Sequence, residues 1–384
     1  MIKSTEIRES YLIFPNWLQP FLTWLTGKPL PKQKPLFVLG PLFHFLTPMC
    51  VIIISVYTIL MLLAHASTLQ KMSLIPLLWL CITGGARKLA LTVRHQCVHH
   101  SFTKNKQLDI FLAEIATTAV CIQDALSYKK NHLASHHKWE ALGGYEDSHV
   151  KLLLKYGFKP GLTKKELWKH LWLTIISPKF HLKFTWDRLL FNFYYPRKAR
   201  IILSVLFCSL IGTLIVLTPI PLYFFLIAYI IPIVFLYNTS ALLEVISEHP
   251  FVAGTPLNND SDHDIHCLKT WGIMCGSPLP NSHLIGYKKL VAYIFWLIKM
   301  IGHFIIRLVV LCGDLSAHDL HHRKPGRYDW RASIYERQKE IETDDSYRDI
   351  WGFFNAIDLV FTSYSESFCS ETSALPSSSE VLIP

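Results

Sequence analysis

The chain has 384 residues, 51% of them hydrophobic, and a formal net charge of +10 at pH 7. Its mean hydropathy is positive and its apolar residues form long uncharged runs, which argues against a large soluble domain and for a membrane protein. Much of the surplus Lys and Arg flanks those runs, as in loops beside anionic lipid headgroups, so the composition does not favour a nucleic-acid-binding protein.

Four apolar segments are predicted to span the membrane, because about 20 helical residues cross the hydrocarbon core. The second segment carries Arg87 and Lys88, so it is an imperfect span. Only Pro219 and Ile220 separate the last two segments, which predicts a tight hairpin. The predicted spans are 37–64, 74–93, 201–218 and 221–243.

The remaining segments are predicted from their composition. Residues 1–35 form an N-terminal interfacial segment, residues 36–364 the membrane domain, and the Ser-rich residues 365–384 a disordered tail. The apolar segment 290–313 carries a single polar stripe at a spacing of four residues, so we expect a helix that lies on the membrane surface. The stripe consists of Lys299, His303 and Arg307.

Loop charge predicts the orientation. Nearly all Lys and Arg lie in residues 1–35, 94–200 and 244–384, which the positive-inside rule places in the cytoplasm together with both termini. The N-terminus has no pattern of a cleaved signal peptide, and the nine cysteines include no CxxC pair, which favours reduced thiols. The expected fold is an all-α integral membrane protein with four transmembrane helices as two hairpins and a cytoplasmic helical cap.

Three short histidine-rich windows stand out in the segments assigned to this cap. They read HQCVHH at 95–100, HLASHH at 132–137 and HDLHH at 318–322, and they contain nine of the chain's 19 histidines. Residues three and four apart share one helix face, so each window can direct several imidazoles at a metal. Eight or nine imidazoles are too many for one ion and suit two.

The spacing also predicts how the histidines pair. We expect His95 and His99 to bind the same metal, and likewise His132 and His136. The three histidines of the last window are also expected to share one of the two metals. His100 and His137 lie one step further around and could reach a second metal or support a ligand. The histidines of the last window are His318, His321 and His322.

Spacing leaves the metal open among iron, zinc, copper and nickel, and a redox role favours iron. The competing hypotheses are a membrane metal transporter and an inactive lipid-binding relative. Metal-bound histidines usually need a hydrogen-bond partner, and four carboxylates lie close in sequence. They are Asp124, Glu140, Asp314 and Asp319.

The other histidines lack box spacing and are interpreted as structural, although His263 and His266 stand three apart in a polar loop. The histidines interpreted as structural are His44, His65, His149, His170, His181, His283 and His303.

The three boxes, in this order on two hairpins, resemble the membrane fatty-acid desaturase superfamily over about residues 36–362. That group usually adds a lone ligand after the second hairpin, and the matching position is His249 in VISEHPF. The resemblance implies two iron ions, with O2 as co-substrate, and His100 as a possible further ligand. The implied ligands are His95, His99, His132, His136, His137, His249, His318, His321 and His322.

The resemblance implies O2-dependent oxidation of a fatty acid or acyl lipid, with desaturation expected first. An acyl or alkane hydroxylase and an olefin-forming fatty-acid decarboxylase stay open as alternatives. The segments RLVVLCGDLSAHDLHHRKPG and YRDIWGFFNAIDLVF are similar to a bacterial subgroup, which implies the inner (cytoplasmic) membrane. No HPGG segment of the cytochrome b5 type is present, so a separate ferredoxin or rubredoxin is the expected electron donor.

Overall fold

The computed structural model describes residues 4–252 and 267–367 of the chain. The predicted tail therefore lies almost wholly outside the described residues, as do His263 and His266. Helices dominate the first part of the described chain. They are α1 (Ser4–Ser10), α2 (Gln19–Thr26), α3 (Pro41–His65), α4 (Thr68–Lys88), α5 (His95–Val98), α6 (Lys106–Ala119), α7 (Ala125–Asn131) and α8 (Ser148–Lys155).

The second part is also mainly helical. Its helices are α9 (Lys164–Ile176), α10 (Pro178–Phe193), α11 (Lys198–Leu217), α12 (Leu222–Phe225), α13 (Tyr237–Glu248), α14 (Gly286–Val309), α15 (His318–Arg323), α16 (Ser333–Ile341) and α17 (Phe353–Glu366).

Several long helices contain π-helical turns, which lengthen them beyond the predicted spans. The turn Leu89–Arg94 joins α4 to α5, so this helix runs from Thr68 to Val98 rather than over 74–93. It begins at a capping box that Ser67 forms with Gln70. Two further π turns lie between α12 and α13, so the fourth long helix runs over Leu222–Glu248 and ends next to His249.

Within residues 4–252 and 267–367, five helices are long and apolar enough to cross a membrane. Four of them cover the predicted spans, and the fifth is α14, which the sequence places on the membrane surface. The five are Pro41–His65, Thr68–Val98, Lys198–Leu217, Leu222–Glu248 and Gly286–Val309.

Two glycines allow α4 to pack closely between α3 and α14. A Cβ atom on Gly85 would lie 2.9 Å from Cγ1 of Ile52 in α3. A Cβ atom on Gly84 would lie 2.7 Å from the carbonyl oxygen of Leu308 in α14. Larger residues here would push the helices apart, and the long helix Thr68–Val98, which α4 begins, carries the first histidine of the first box near its other end.

The all-α expectation needs one correction, because the described residues also contain a small parallel sheet. Strand β1 (Gly272–Met274) pairs with β2 (Asp349–Trp351), and Gly272 lies opposite Asp349. The sheet ties the segment that follows the second hairpin to the C-terminal part of the chain. Three paired residues on each side are too few to give a recognisable alternating pattern in the sequence.

Candidate metal centre

The first histidine box lies at the C-terminal end of the long helix Thr68–Val98. The π turn Leu89–Arg94 precedes α5, and α5 carries His95, with His99 just after its end. π turns are rare and are frequent at functional sites. The amide of Gln96 donates to Asp314 (2.6 Å), which links this box to the residues before the third box.

The second box is itself a π turn, His132–His136. Asp124 caps the preceding helix α7 by accepting from the backbone N–H of Ser127 (3.0 Å). The N–H of His137 bonds the carbonyl of His132 (3.0 Å), a contact between residues five apart. This geometry brings His132 and His137 to the same side and turns His136 away from them.

The third box is held by a buried charge network. Arg337 donates to both carboxylate oxygens of Asp319, each at 2.7 Å, and to Asp349 at 2.6 Å. Lys28 also pairs with Asp349 (2.7 Å). The network fixes helix α15 to strand β2 and to the N-terminal segment.

The nine predicted ligands come together in two groups that share no member. Within each group, one nitrogen from each ring lies within 4.8 Å of all the others. The first histidine group is His95, His99, His132, His137 and His321, and the second histidine group is His136, His249, His318 and His322.

This division differs from the pairing expected from helical spacing. His95 and His99 do lie together, but His132 and His136 belong to different groups. The third box is divided as well, because His321 joins the first group while its two neighbours join the second. The π turn explains the second box, since it places residues five apart, rather than four apart, on one side.

Four rings of the first group form a closed circuit of Nε2 atoms. The His95–His321 contact is 2.8 Å, and the His95–His132, His132–His137 and His137–His321 contacts are 3.0 Å each. Nitrogens about 3.0 Å apart at the corners of a square lie about 2.1 Å from its centre, which is a metal–imidazole bond length. The buried Nε2 of His99, also in this group, has no hydrogen-bond partner among the described residues. This arrangement fits a metal ion.

The second group also fits a metal ion, because hydrogen-bond partners at Nδ1 orient two of its rings. Nδ1 of His136 lies 3.1 Å from Asp147, and Nδ1 of His249 lies 2.9 Å from the carbonyl oxygen of Lys269. Such contacts fix the tautomer and direct Nε2 at the metal. Nε2 of His136 is buried, and no described residue forms a hydrogen bond with it.

Burial keeps these imidazoles in the form that binds metal. Burial first, and the charge of neighbouring histidines second, lower the pKa of His132, His136 and His318 well below the usual value. Burial also lowers the pKa of His99 to about 4. These rings are therefore neutral at pH 7, and neutral imidazole is the metal ligand.

Three further residues lie near the second group. Asp147 was not selected from the sequence, His149 was interpreted as structural, and Glu248 was not among the predicted ligands. The rings of His149 and His136 lie 3.9 Å apart, centre to centre, and Nδ1 of His149 pairs with Glu248 at 2.9 Å. The other oxygen of Glu248 lies 3.9 Å from Nε2 of His318. His149 is thus part of the candidate site rather than an isolated structural histidine.

The carboxylates nearest in sequence serve other contacts. Asp314 accepts from Gln96, Asp319 pairs with Arg337, and Asp124 caps α7, while Glu140 is exposed. His100 stands outside both groups, with its Nε2 2.6 Å from Nζ of Lys129.

Comparison with known proteins agrees with this site. A family model described as Fatty acid desaturase matches residues 73–286, more than half of the chain. The chain belongs to the fatty acid desaturase family. No curated protein matches it. The matched range of this desaturase-family protein contains the first two boxes and His249 but ends before His318, so the third box is supported by its spacing in the sequence and by the geometry of the two groups.

Membership in the family makes this an integral membrane oxidoreductase that acts on fatty acyl chains. The long apolar helices and the histidine groups that could hold metal are consistent with that assignment.

Proposed function

We propose that this desaturase-family protein is a non-haem di-iron oxidase that desaturates a fatty acyl chain, with O2 as co-substrate. The observation that carries the proposal is the division of nine histidines into two separate groups that adjoin each other. His136 and His137 are consecutive residues that belong to different groups, and the rings of His137 and His322 stack across the division at 4.5 Å.

The proposed iron ligands are the five members of the first histidine group and the four of the second. Two bound irons would supply the O2 activation and hydrogen removal that unactivated C–H bonds require. The protein itself holds the imidazoles neutral, orients them through Asp147 and the Lys269 carbonyl, and excludes water by burial. Two ions rather than one are favoured because one ion takes few protein ligands.

We propose four membrane spans in two hairpins, with α14 on the membrane surface and the histidine groups in the cytoplasm. Contacts of α14 with the N-terminal segment support this topology. Tyr11, which is fully buried, contacts Met300 in α14 and donates to the carbonyl of Ser277 (2.6 Å). Trp296 in α14 also donates to the Ser277 carbonyl (3.0 Å). The segment that precedes α14 in the chain therefore packs against the side of that helix. An irregular segment beside α14 suits the membrane interface better than the hydrocarbon core.

The proposed substrate is a fatty acid or an acyl lipid in the bilayer, and the proposed electron donor is a separate ferredoxin or rubredoxin. A basic cytoplasmic face would steer an acidic donor protein to the site. The proposed location is the bacterial inner membrane.

The test is to express the wild type, His136→Ala and His100→Ala, the last as a histidine variant outside both groups. Iron content, O2 consumption with a reduced donor, and cellular lipids and hydrocarbons are measured for each. We expect about two irons and a new internal double bond for the wild type and His100→Ala. For His136→Ala we expect about one iron and no new double bond at equal membrane insertion.

The products separate the possible reactions. A hydroxy acid would identify a hydroxylase, and a terminal alkene would identify an olefin-forming decarboxylase. Metal movement across the membrane without O2 consumption would contradict the oxidase proposal and favour a transporter.

A further inference from the structure

A polar cavity lies beside the first histidine group. Its volume is about 730 Å³, and its lining includes His99 of that group. The lining also includes Pro41, the first residue of α3, which the proposed topology places on the cytoplasmic side. His99 and His137 are the two partly buried members of the histidine groups, and both belong to the first group. The first group is therefore the more accessible of the two from this side.

Three cations stand around this cavity, and we call them the basic rim. They are Lys104, Lys129 and Arg327. Lys104 and Arg327 are exposed residues of the cavity lining. Lys129 adjoins the lining, because its Nζ lies 2.6 Å from Nε2 of His100. Within the described part of the chain, none of the three forms an ion pair with a carboxylate.

The acidic residues of the cavity lining do not neutralise the basic rim. Asp329 pairs with Arg331 (2.7 Å), and Glu336 pairs with Lys339 (2.6 Å). Both carboxylates are thus already matched by a cation that is not part of the rim. The basic rim therefore presents uncompensated positive charge to the solvent next to the first histidine group.

The loop that carries Lys104 is held in one conformation. Lys104 has a φ of +65°, in a region that non-glycine residues rarely adopt. The backbone N–H of Thr103 donates to Asp109 (2.8 Å), and the indole N–H of Trp330 donates to the carbonyl of Ser101 (3.0 Å). A loop that is already ordered loses little conformational entropy when a partner binds.

The arrangement of the rim suits a broad acidic surface rather than a small ion. Lys104 follows the first box, Lys129 lies in α7, and Arg327 follows α15, so the charges come from three separate segments. A site for a small anion needs buried donors that converge on one point, whereas exposed charges mainly steer a charged protein and orient it.

We propose that the basic rim binds an acidic one-electron carrier protein of the ferredoxin or rubredoxin type and holds its redox centre beside the first histidine group. The inference rests on the proposed function and assigns a docking place to its electron donor. Desaturation removes two hydrogen atoms from the acyl chain and reduces one O2 to two water molecules. Two electrons from two reduced carrier proteins, which are oxidised, and two protons from solvent complete the balance.

The test measures binding of a plant-type ferredoxin and of a rubredoxin to the purified metal-loaded protein by isothermal titration calorimetry. We expect binding that weakens as salt is added, because contacts between exposed charges are screened. The double variant Lys104→Gln with Arg327→Gln should weaken binding about threefold to thirtyfold, the combined value of two exposed ion pairs. Its iron content should equal that of the wild type.

The matched control removes the same charge elsewhere on the cytoplasmic side. It is the double variant Lys165→Gln with Lys169→Gln, at two exposed lysines of α9. Net charge falls equally in both variants, but α9 contributes no residue to the cavity lining or to the rim. The control should therefore bind the carrier proteins nearly as tightly as the wild type.

Four results would overturn the inference. They are no binding of either carrier protein to the wild type, unchanged binding in the rim variant, an equal loss in the rim variant and the control, and equally tight binding of the basic protein cytochrome c. Loss of binding to phosphatidylglycerol vesicles, with carrier binding unchanged, would assign the rim to lipid headgroups instead. Failure of the proposed function is distinguishable, because it would appear as absence of iron and O2 consumption in the wild type, whereas carrier binding needs no turnover.

Discussion

The two histidine groups differ in how they are held and in what they face. All four members of the second group are buried, and its rings are anchored by Asp147 and by the Lys269 carbonyl. In the first group His99 and His137 are only partly buried. His99 also borders a polar cavity of about 730 Å³ that contains Tyr328, whose hydroxyl lies 3.3 Å from Nδ1 of His321.

From this difference we expect the two proposed iron sites to have different roles. The second group is a fixed site, whose ring positions are set by hydrogen bonds and which has a carboxylate, Glu248, nearby. The rings of the first group contact one another, and His99 of this group borders a cavity. Substitutions can change one histidine group or both.

The largest effect is expected from removing one ligand of each group in turn. His95→Ala should lose the ion of the first group and His318→Ala that of the second, so each protein should retain about one iron. Activity should fall by more than the roughly tenfold to hundredfold that follows loss of a ligand's hydrogen-bond partner. Iron analysis and O2 consumption check this, and two irons retained in both variants would contradict the assignment of the groups.

The third box should respond to loss of its charge network, because it contributes to both groups. Arg337→Met leaves Asp319 buried without its cation, whereas Asp349 keeps Lys28, and removal of one partner of a buried ion pair typically costs about 3–5 kcal/mol. We expect a large fall in the thermal unfolding temperature and loss of iron from both sites.

The matched control for the charge network is an exposed ion pair. Lys164 pairs with Asp358 at 2.8 Å, and both side chains are more than 40% exposed. Lys164→Met should therefore change stability by about 1 kcal/mol or less. Equal destabilisation by Lys164→Met and Arg337→Met would show that the buried network does not stabilise the third box.

A smaller and selective effect is expected at the anchor of the second group. Asp147→Asn removes the carboxylate charge behind His136 and should weaken metal binding to the second group roughly tenfold to a hundredfold. The first group should keep its affinity. Chelator competition measures the metal affinity of both sites. Asp124→Asn is the control, because it makes the same change at an aspartate that caps helix α7. Equal weakening at both sites would contradict separate anchoring.

Much of the site was predictable because boxes are local and their spacing is periodic. The structure brings together all nine histidines that the sequence and its resemblance select. The four predicted spans correspond to long helices because uncharged runs of that length have few alternatives. What the sequence does not show is the division of each box between groups. It depends on the π turn His132–His136, and a π turn has no clear sequence signal.

The partners of the rings were harder to predict for a different reason. Asp147 reaches His136 because the chain between them folds back, and Gly143 in that segment has a φ of +72°. Nearness in sequence instead favoured Asp124 and Asp319, which serve a helix cap and a charge network. His149 and Glu248 meet only because α8 packs near the end of α13. Such contacts depend on tertiary folding and not on a local pattern.

The smallest effect is expected at His100, the one box histidine outside both groups. Its φ is +56°, in the left-handed region that costs a non-glycine residue about 1–2 kcal/mol. His100→Ala should therefore keep two irons and near wild-type activity, and His100→Gly should do the same with slightly higher thermal stability, since glycine adopts this conformation readily. Thermal unfolding and iron analysis compare the two variants. Loss of an iron in both variants would instead make His100 a tenth ligand.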